Sequence, residues 1–521
     1  MGGRVMLPLL LCLSAAGPPL LVQGGDPYLF FTWNVTYGSI SPLGTPQQGI
    51  LINNQFPGPN INSTINNNIV INVFNYLDVP FLLTWNGIQH RKNSWQDGVL
   101  GTNYPIPPKT NYTYRFQVKD QIGSYMYYPV IAMHKAAGGF VPCDDPADDY
   151  TILAGDWFSK GHIALKKILD SGRNLGRCDG VHINGKVSKG DGKDEPLFTM
   201  EPRKTYKYKI CNVGIKTALN IRFQGNNMRL VEMEGSHTMQ SIVLVTANQE
   251  PMDYYVVAST RFTRQMVTAT GIIRYTNGKG VASSKLPPPP TSWAWSFNQF
   301  RTFRWNLTTS AARPNPQGSY HYGSINITRT IKLINTAGKL NDKLRYAING
   351  VSYVEPSTPL KLAEYYNIAD KVFKYDNIVD DPPAEISKIT LDPIILNFTY
   401  RDFIEIIFEN HENAIQSWHL SGYSFFAVAP EKRKNYKLLD AFSRHTIQVF
   451  PQSWATILLT FDNCGMWNIR YEIWDKHYLG QQLYVSVLSS AHSLKDEYNM
   501  PDDSPLCGIM ESMPKPQPCN V

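Results

Sequence analysis

Thr84 and Asn86 stand on either side of Trp85 in the stretch LLTWNGI (82–88). Residues two apart in a strand share a face, so both side chains are presented toward one object. Two ligands there could grip that object, yet Thr and Asn are poor ligands for almost anything. Other signals for site chemistry are sparse. No His-x-His occurs in the chain, and no CxxC pair suggests a zinc site. The four Asp residues of CDDPADDY (143–150) lack the spacing of a calcium loop and read as an acidic, solvated turn. No paired-carboxylate motif of a polysaccharide-cleaving enzyme stands out.

The elements that must position these residues are strands. Short alternating or apolar runs recur between turn signals: NIVINVFNYL (68–77), NYTYRFQV (111–118), TYKYKICNV (205–213), DYYVVAS (253–259), FIEIIFEN (403–410), WATILLTF (454–461) and QLYVSVL (482–488). Long helical patterns are scarce, and PLKLAEYYNI (359–368) is the best of them. At 521 residues the chain is too long for one core and implies about three domains. One boundary is expected near 150, before TILAGDW. KLPPPPTSWAW (285–295) reads as a stiff polyproline linker that opens a crossing segment to about 320. The expected division is 1–24 leader, 25–150, 151–284, 285–320 linker, 321–495, and a 496–521 tail.

The N-terminus has the features of a secretory signal: Arg4, then the apolar run VMLPLLLCL, then small residues up to Gly24. No later apolar run is long enough to span a bilayer, and the polar, Pro-rich C-terminus carries no glycolipid-anchor signal. The chain is therefore expected to be released outside the cell. Cys143, Cys178, Cys211, Cys464, Cys507 and Cys519 remain beyond the leader, an even set that permits disulfides in an oxidising compartment. Sequons at Asn34, Asn62, Asn111, Asn306, Asn326 and Asn397 point to a glycoprotein. The net charge of +7 allows attraction to polyanions and is too small for a nucleic-acid partner.

Four segments align in order with the ligand-bearing segments of a known family: LLTWNGIQ, DQIGSYMYYPV (120–130), QSWHLSGYSFFAV (416–428) and DNCGMWNIRYEIWDKHYLGQQ (462–482). The chain resembles the multicopper oxidases, the laccase and ascorbate oxidase superfamily, from about Phe31 to Leu488. NNQFPGP (53–59), WQDGVLGTNYPIPP (95–108), HINGK (182–186) and ICNVG (210–214) match further landmarks. The resemblance implies an all-β fold of three consecutive cupredoxin-like Greek-key domains. FDNCGMWNIR, YLGQQLYVSV and FQGNNMRLVEMEGSH resemble one plant branch, the pollen-specific ascorbate-oxidase homologues and skewed-growth, monocopper-oxidase-like proteins. That branch is secreted or wall-associated and linked to directional cell expansion and pollen-tube growth.

By the resemblance, Thr84 and Asn86 occupy the first ligand pair and Tyr128 and Val130 the second. Gln416 and Ser421 replace two ligands of the third segment, where His419 alone survives. Arg470, Tyr471 and Glu472 replace His-Cys-His, Lys476 the last His, and Gln481 the axial residue. A blue-copper site needs two imidazoles and a thiolate, and these side chains supply neither. Arg470 and Lys476 beside Glu472 suggest an ion-pair network in the vacated site. His419 reads as a buried, hydrogen-bonded histidine; copper binding would need a partner such as His411, His445 or His477. Cys464 lies seven residues from Tyr471 and reads as structural. No cofactor is expected, with copper if a residual oxidoreductase site exists. The expected role is binding, to an acidic wall polysaccharide such as pectin or to a cell-surface protein. Arg203, Lys204, Lys207 and Lys209, or Lys432, Arg433, Lys434 and Lys437, are the candidate basic clusters.

Overall fold

In a computed structural model of the chain, the described residues are 26–516 and 518, apart from 120, 122, 140, 144–148, 189–193, 235–239, 280–284, 307–324, 384, 387, 429–441 and 492. The leader, most of the acidic turn, Cys519 and the Lys432–Lys437 cluster fall outside them, as do the side chains of Cys143 and Asn306.

Three β-domains follow one another, and each repeats one device. The first strand of a domain pairs in parallel with a later strand: Tyr28–Ile40 with Asn68–Asn75, Asp149–Trp157 with Thr205–Asn212, and Arg329–Leu340 with Phe403–Asn410. A parallel pair cannot be closed by a hairpin, so the intervening chain must cross over, and two packed sheets result. The first domain has a four-stranded sheet and a three-stranded sheet formed by Leu83–Asn86, Tyr125–Pro129 and Val141–Cys143. The third has sheets of eight and five strands. Side-chain pattern explains the faces. In Asn68–Asn75, Ile69, Ile71 and Val73 are buried and alternate with half-exposed residues, whereas Phe403–Asn410 is buried on nearly every residue.

The domains are not independent beads. Residues 89–103 leave the first domain's core and enter the third. Trp95 and Val99 belong to the third domain's hydrophobic cluster, with Trp95 edge-on to Tyr365 at 5.4 Å. The Trp95 indole N–H donates to Tyr498 O, Gly101 N–H to the Tyr484 hydroxyl, and the Asn463 amide to Gln89 O. Gly98 makes this insertion possible. Its φ is +72°, and a Cβ would lie 1.6 Å from the Leu83 carbonyl oxygen. Removing an indole packed like that of Trp95 costs about 3–5 kcal/mol.

Four expectations need correction. Residues 293–306 form a helix rather than a purely extended crossing segment: the Ser292 hydroxyl caps it by accepting Trp295 N–H, directly after the prolines. The 359–368 stretch yields only Leu360–Tyr365, while His162–Asp170 forms a two-turn helix that periodicity did not single out. The second domain's first strand already begins at Asp149. Among the described side chains, Cys178, Cys464 and Cys507 are thiols where disulfides were expected, and Cys211 is buried in the core. Cys507 sits in the third domain's apolar cluster and Cys464 at the entry to Gly465–Tyr471.

The first basic cluster is also not a free surface. Lys207 pairs with Asp149 at 2.6 Å, buried Lys209 faces the same carboxylate at 3.5 Å, and Lys204 pairs with Glu201 at 2.7 Å. The strand register places Lys207 opposite Asp149, which sequence alone does not reveal.

Burial pushes the Cys464 thiol up to about 12 and Cys507 up to about 11, which suppresses the reactive thiolate. Alkylation at neutral pH should leave both unlabelled in folded protein. Both should be labelled after unfolding in guanidinium without reductant. Absence of label in the unfolded, unreduced chain would show that they are bridged.

Candidate functional site at the junction of the first and third domains

Leu83–Asn86 pairs antiparallel with Tyr125–Pro129, setting Thr84 opposite Tyr128. Gln416–Leu420 pairs with Gly465–Tyr471, setting His419 opposite Arg470. The two strand pairs face each other across the domain junction. Alternation does the sorting. Trp85 turns into the first domain's core against Trp33, Tyr114 and Tyr127, while Asn86 turns toward the third domain. Tyr471 likewise packs inward on Trp418, leaving Arg470 and Glu472 on the junction face.

Arg470 is the centre. It is 1% exposed, and its guanidinium donates to the Tyr128 hydroxyl at 2.9 Å and to Ser421 Oγ at 3.1 Å. Its Nε lies 3.3 Å from Glu472 Oε1. Asn86 Nδ2 donates to Tyr128 Oη at 3.1 Å and to Glu472 Oε1 at 3.4 Å. Thr84 Oγ1 donates to Asp97 O at 2.9 Å. Burial works against the Arg470 charge, but Tyr128, Glu472 and Asp97 outweigh it and hold the guanidinium protonated. Burial raises Asp97 to about 6, against the opposing pull of Arg470 and Ser421.

The expected Arg470–Glu472 pair is therefore present, but the second cation is not Lys476. Lys476 turns away to Glu412 and over the Tyr346 and Tyr471 rings. Its place is taken by Lys135, whose ammonium lies 4.1 Å from the Tyr128 ring centre and 5.0 Å from that of Trp474. Burial lowers Lys135 to about 8, with Glu472 opposing and Arg470 reinforcing the shift. Sequence reading missed Lys135 and Asp97. The available signals were a lone Lys among small and apolar residues in VIAMHKAAGG and an Asp in WQDG. Trp474 completes the frame. Its backbone N–H donates to Ile215 O, its indole N–H to Ala132 O, and its ring meets Tyr128 edge-on at 5.7 Å, so it touches all three domains.

The other positions scatter by role. Val130 lines a cavity of about 530 Å³ that also meets Arg470, Trp474 and His477. Gln416 Oε1 accepts the Trp418 indole N–H, and Gln481 is wholly buried with both amide atoms unpartnered. His419 does have a histidine neighbour. Its Nδ1 lies 3.4 Å from His445 Nδ1, while its Nε2 is buried without a partner. Burial, then Arg470 and His445, hold His419 far below the usual range, so it is neutral. His411 is half-exposed and pairs with Glu409, away from this group.

These donors do not fit a copper cluster. The side chains at the positions that the resemblance assigns to ligands are Thr, Asn, Tyr, Val, Gln and Ser, and none of them is the imidazole such a cluster needs. Among the described residues, no group of three or more His, Cys, Asp or Glu could hold a metal ion. A unit charge 4 Å from Arg470 would meet repulsion of about 4 kcal/mol even at an effective dielectric of 20.

Asp97 gives the site a measurable pH signature. Its folded pKa lies above its unfolded one, so its contribution to stability is complete below about pH 4 and is lost as pH rises through about 6. Asp97→Asn lacks this titration. The variant's stability relative to the parent should rise by about 1–3 kcal/mol between pH 4 and pH 7. Denaturant melts of both proteins across that range check it; a constant difference would refute it. Tyr128→Phe, which strips Arg470 and Asn86 of their acceptor, should cost about 1–3 kcal/mol.

Comparison with known proteins agrees with this geometry. Family models described as multicopper oxidase match residues 34–143, 148–278 and 357–493. The chain is 62% identical to a protein named L-ascorbate oxidase homolog from Brassica napus, over 99% of both chains. It is 45% identical to Monocopper oxidase-like protein SKU5 of Arabidopsis thaliana, over 94% of this chain and 91% of that one. Its fold matches the crystal structure of Fet3p, a multicopper oxidase that functions in iron import, with a TM-score of 0.71 at 17% identity, covering 88% of this chain and 90% of that one. Three matched domains and near-complete coverage at such identity place the chain in the multicopper oxidase family, in the branch of ascorbate-oxidase homologues and monocopper-oxidase-like proteins.

Proposed function

We propose that this chain is a secreted glycoprotein of the plant wall or apoplast that acts by binding and carries out no copper-dependent oxidation. Its role would lie in directional cell expansion or pollen-tube growth. The observation that carries the reading is Arg470. A fixed, buried positive charge, hydrogen-bonded to Tyr128 and Ser421 and paired with Glu472, stands where the resemblance places a copper ligand. The sequons at Asn34, Asn62, Asn111 and Asn326 are exposed and open to glycosylation, whereas Asn397 is half-buried in a strand. No helix among the described residues is long and apolar enough to cross a membrane. An acidic wall polysaccharide or a cell-surface protein is the partner this reading calls for.

A second reading is a copper-dependent oxidoreductase with a nonstandard site. The His419–His445 pair favours it, since two imidazoles meet beside Gly87 of the first ligand segment. Metal analysis separates the two. Purified protein incubated with copper and dialysed should retain far less than one copper per chain and show no thiolate-to-copper absorption. It should also fail to turn over ascorbate or a diphenol. Near one copper per chain, lost in His419→Ala, would establish the second reading.

A further inference from the structure

The second domain carries an open cleft of about 630 Å³ between the 176–179 loop and the 260–267 loop. Arg177 and Arg264 stand on opposite loops of it, and both are exposed. Arg177 donates only to the side chain of Gln265, another cleft residue, and no ion pair of either arginine occurs among the described residues. The cleft's third cation, Lys216, is already neutralised by Asp475 at 2.7 Å. Its carboxylate, Asp179, accepts Ser159 N–H at 2.8 Å. The remaining lining adds hydroxyl and amide groups, from Thr217, Thr260, Thr263 and Gln265, to Gly176, Cys178 and Val267.

The 260–267 loop is also fastened to the helix that follows the proline tract. Arg261 Nε donates to Ser296 Oγ at 2.6 Å and Arg261 Nη2 to Ser292 O at 2.5 Å. Phe262 stacks on Phe297 at 4.6 Å and meets Trp293 edge-on at 5.9 Å. Trp293, on the helix face that packs on this loop, is nonetheless 48% exposed, so one indole is presented to solvent beside the cleft. Exposed guanidinium forks recognise carboxylates in two-point geometry. Hydroxyl and amide groups match sugar hydroxyls, and an indole offers an apolar face for a sugar ring. A peptide polyanion would use the charges and leave the indole idle.

We propose that this cleft, with the Trp293 indole beside it, binds a chain of uronic acids, its carboxylates on Arg177 and Arg264 and a neighbouring ring on the exposed indole. The assignment rests on the reading of the chain as a binding protein. It also places the polyanion site away from the Lys204–Lys209 strand, where the charges are already paired.

The test is retention of the full-length glycoprotein on immobilised polygalacturonate. Methyl-esterified polygalacturonate and polyglutamate serve as comparison matrices, in buffers of rising salt. The parent should be held by polygalacturonate, less by polyglutamate, and little by the ester. Arg177→Gln with Arg264→Gln should weaken affinity about tenfold. Trp293→Ala should weaken it without changing the salt dependence, and Trp295→Ala, on the opposite side of the helix, should leave it within twofold. Arg203→Gln with Lys204→Gln should leave it within twofold. All three positions of the weakening variants, Arg177, Arg264 and Trp293, are exposed, and an unchanged melting temperature confirms their fold. Retention insensitive to Arg177 and Arg264, or equal retention on polyglutamate, would overturn the cleft assignment while leaving a binding role intact. No retention of the parent at low salt would overturn polyanion binding itself.

Discussion

A single buried guanidinium constrains the centre of this molecule. Placing Arg470 at 1% exposure removes it from water, and the desolvation penalty is several kcal/mol unless partners are close and well aligned. Tyr128, Ser421 and Glu472 meet that requirement from two domains. Each partner then needs its own support. Asn86 holds Tyr128 and Glu472, Lys135 covers the other side of the Tyr128 ring, and Trp474 bounds Lys135 while reaching all three domains. These side chains therefore form one connected group, in which Arg470 Nε and Glu472 Oε2 are held by charge alone, without a hydrogen bond.

What could be read from the sequence follows from how local the information is. The strand at 403–410 shows itself by continuous apolarity, and Asn68–Asn75 by alternation, because burial on two faces or one is written directly into the period. The Arg470–Glu472 pair was legible for the same reason: residues two apart on one strand share a face, and their charges are opposite. Lys476 was misassigned because its position was judged by chain proximity to Glu472. Its carboxylate is Glu412, 64 residues upstream. Lys135 was invisible because it reaches the site only when the first domain docks on the third. The Lys207–Asp149 pairing depends on strand register, which no local pattern encodes. The helix at Trp293–Asn306 was hidden by the prolines before it, although Ser292 is a recognisable cap.

The same distinction separates surface charge from usable charge. Counting cations singles out the 203–209 segment, yet most of its charge is spent on Asp149 and Glu201. The 176–179 and 260–267 loops draw less notice in the sequence and keep Arg177 and Arg264 open to solvent, while Arg261 is tied to the following helix. Net charge says how strongly a surface attracts ions at a distance, whereas the pairing of individual side chains decides where an anion can settle.

The insertion of Trp95 and Val99 into the third domain has a consequence for the order of events at the ribosome. Their packing partners, Tyr365, Tyr484 and the 394–408 strands, are synthesised some 270–390 residues later. At about 5–20 residues per second, the first domain waits tens of seconds with a tryptophan-bearing loop uncovered. Its own core, built on Trp33, Trp85 and Tyr127, is complete without that loop and is able to form during the delay. The nascent chain therefore presents an adhesive segment until its last third emerges, and a chaperone that shields aromatic loops would have its natural substrate in that interval.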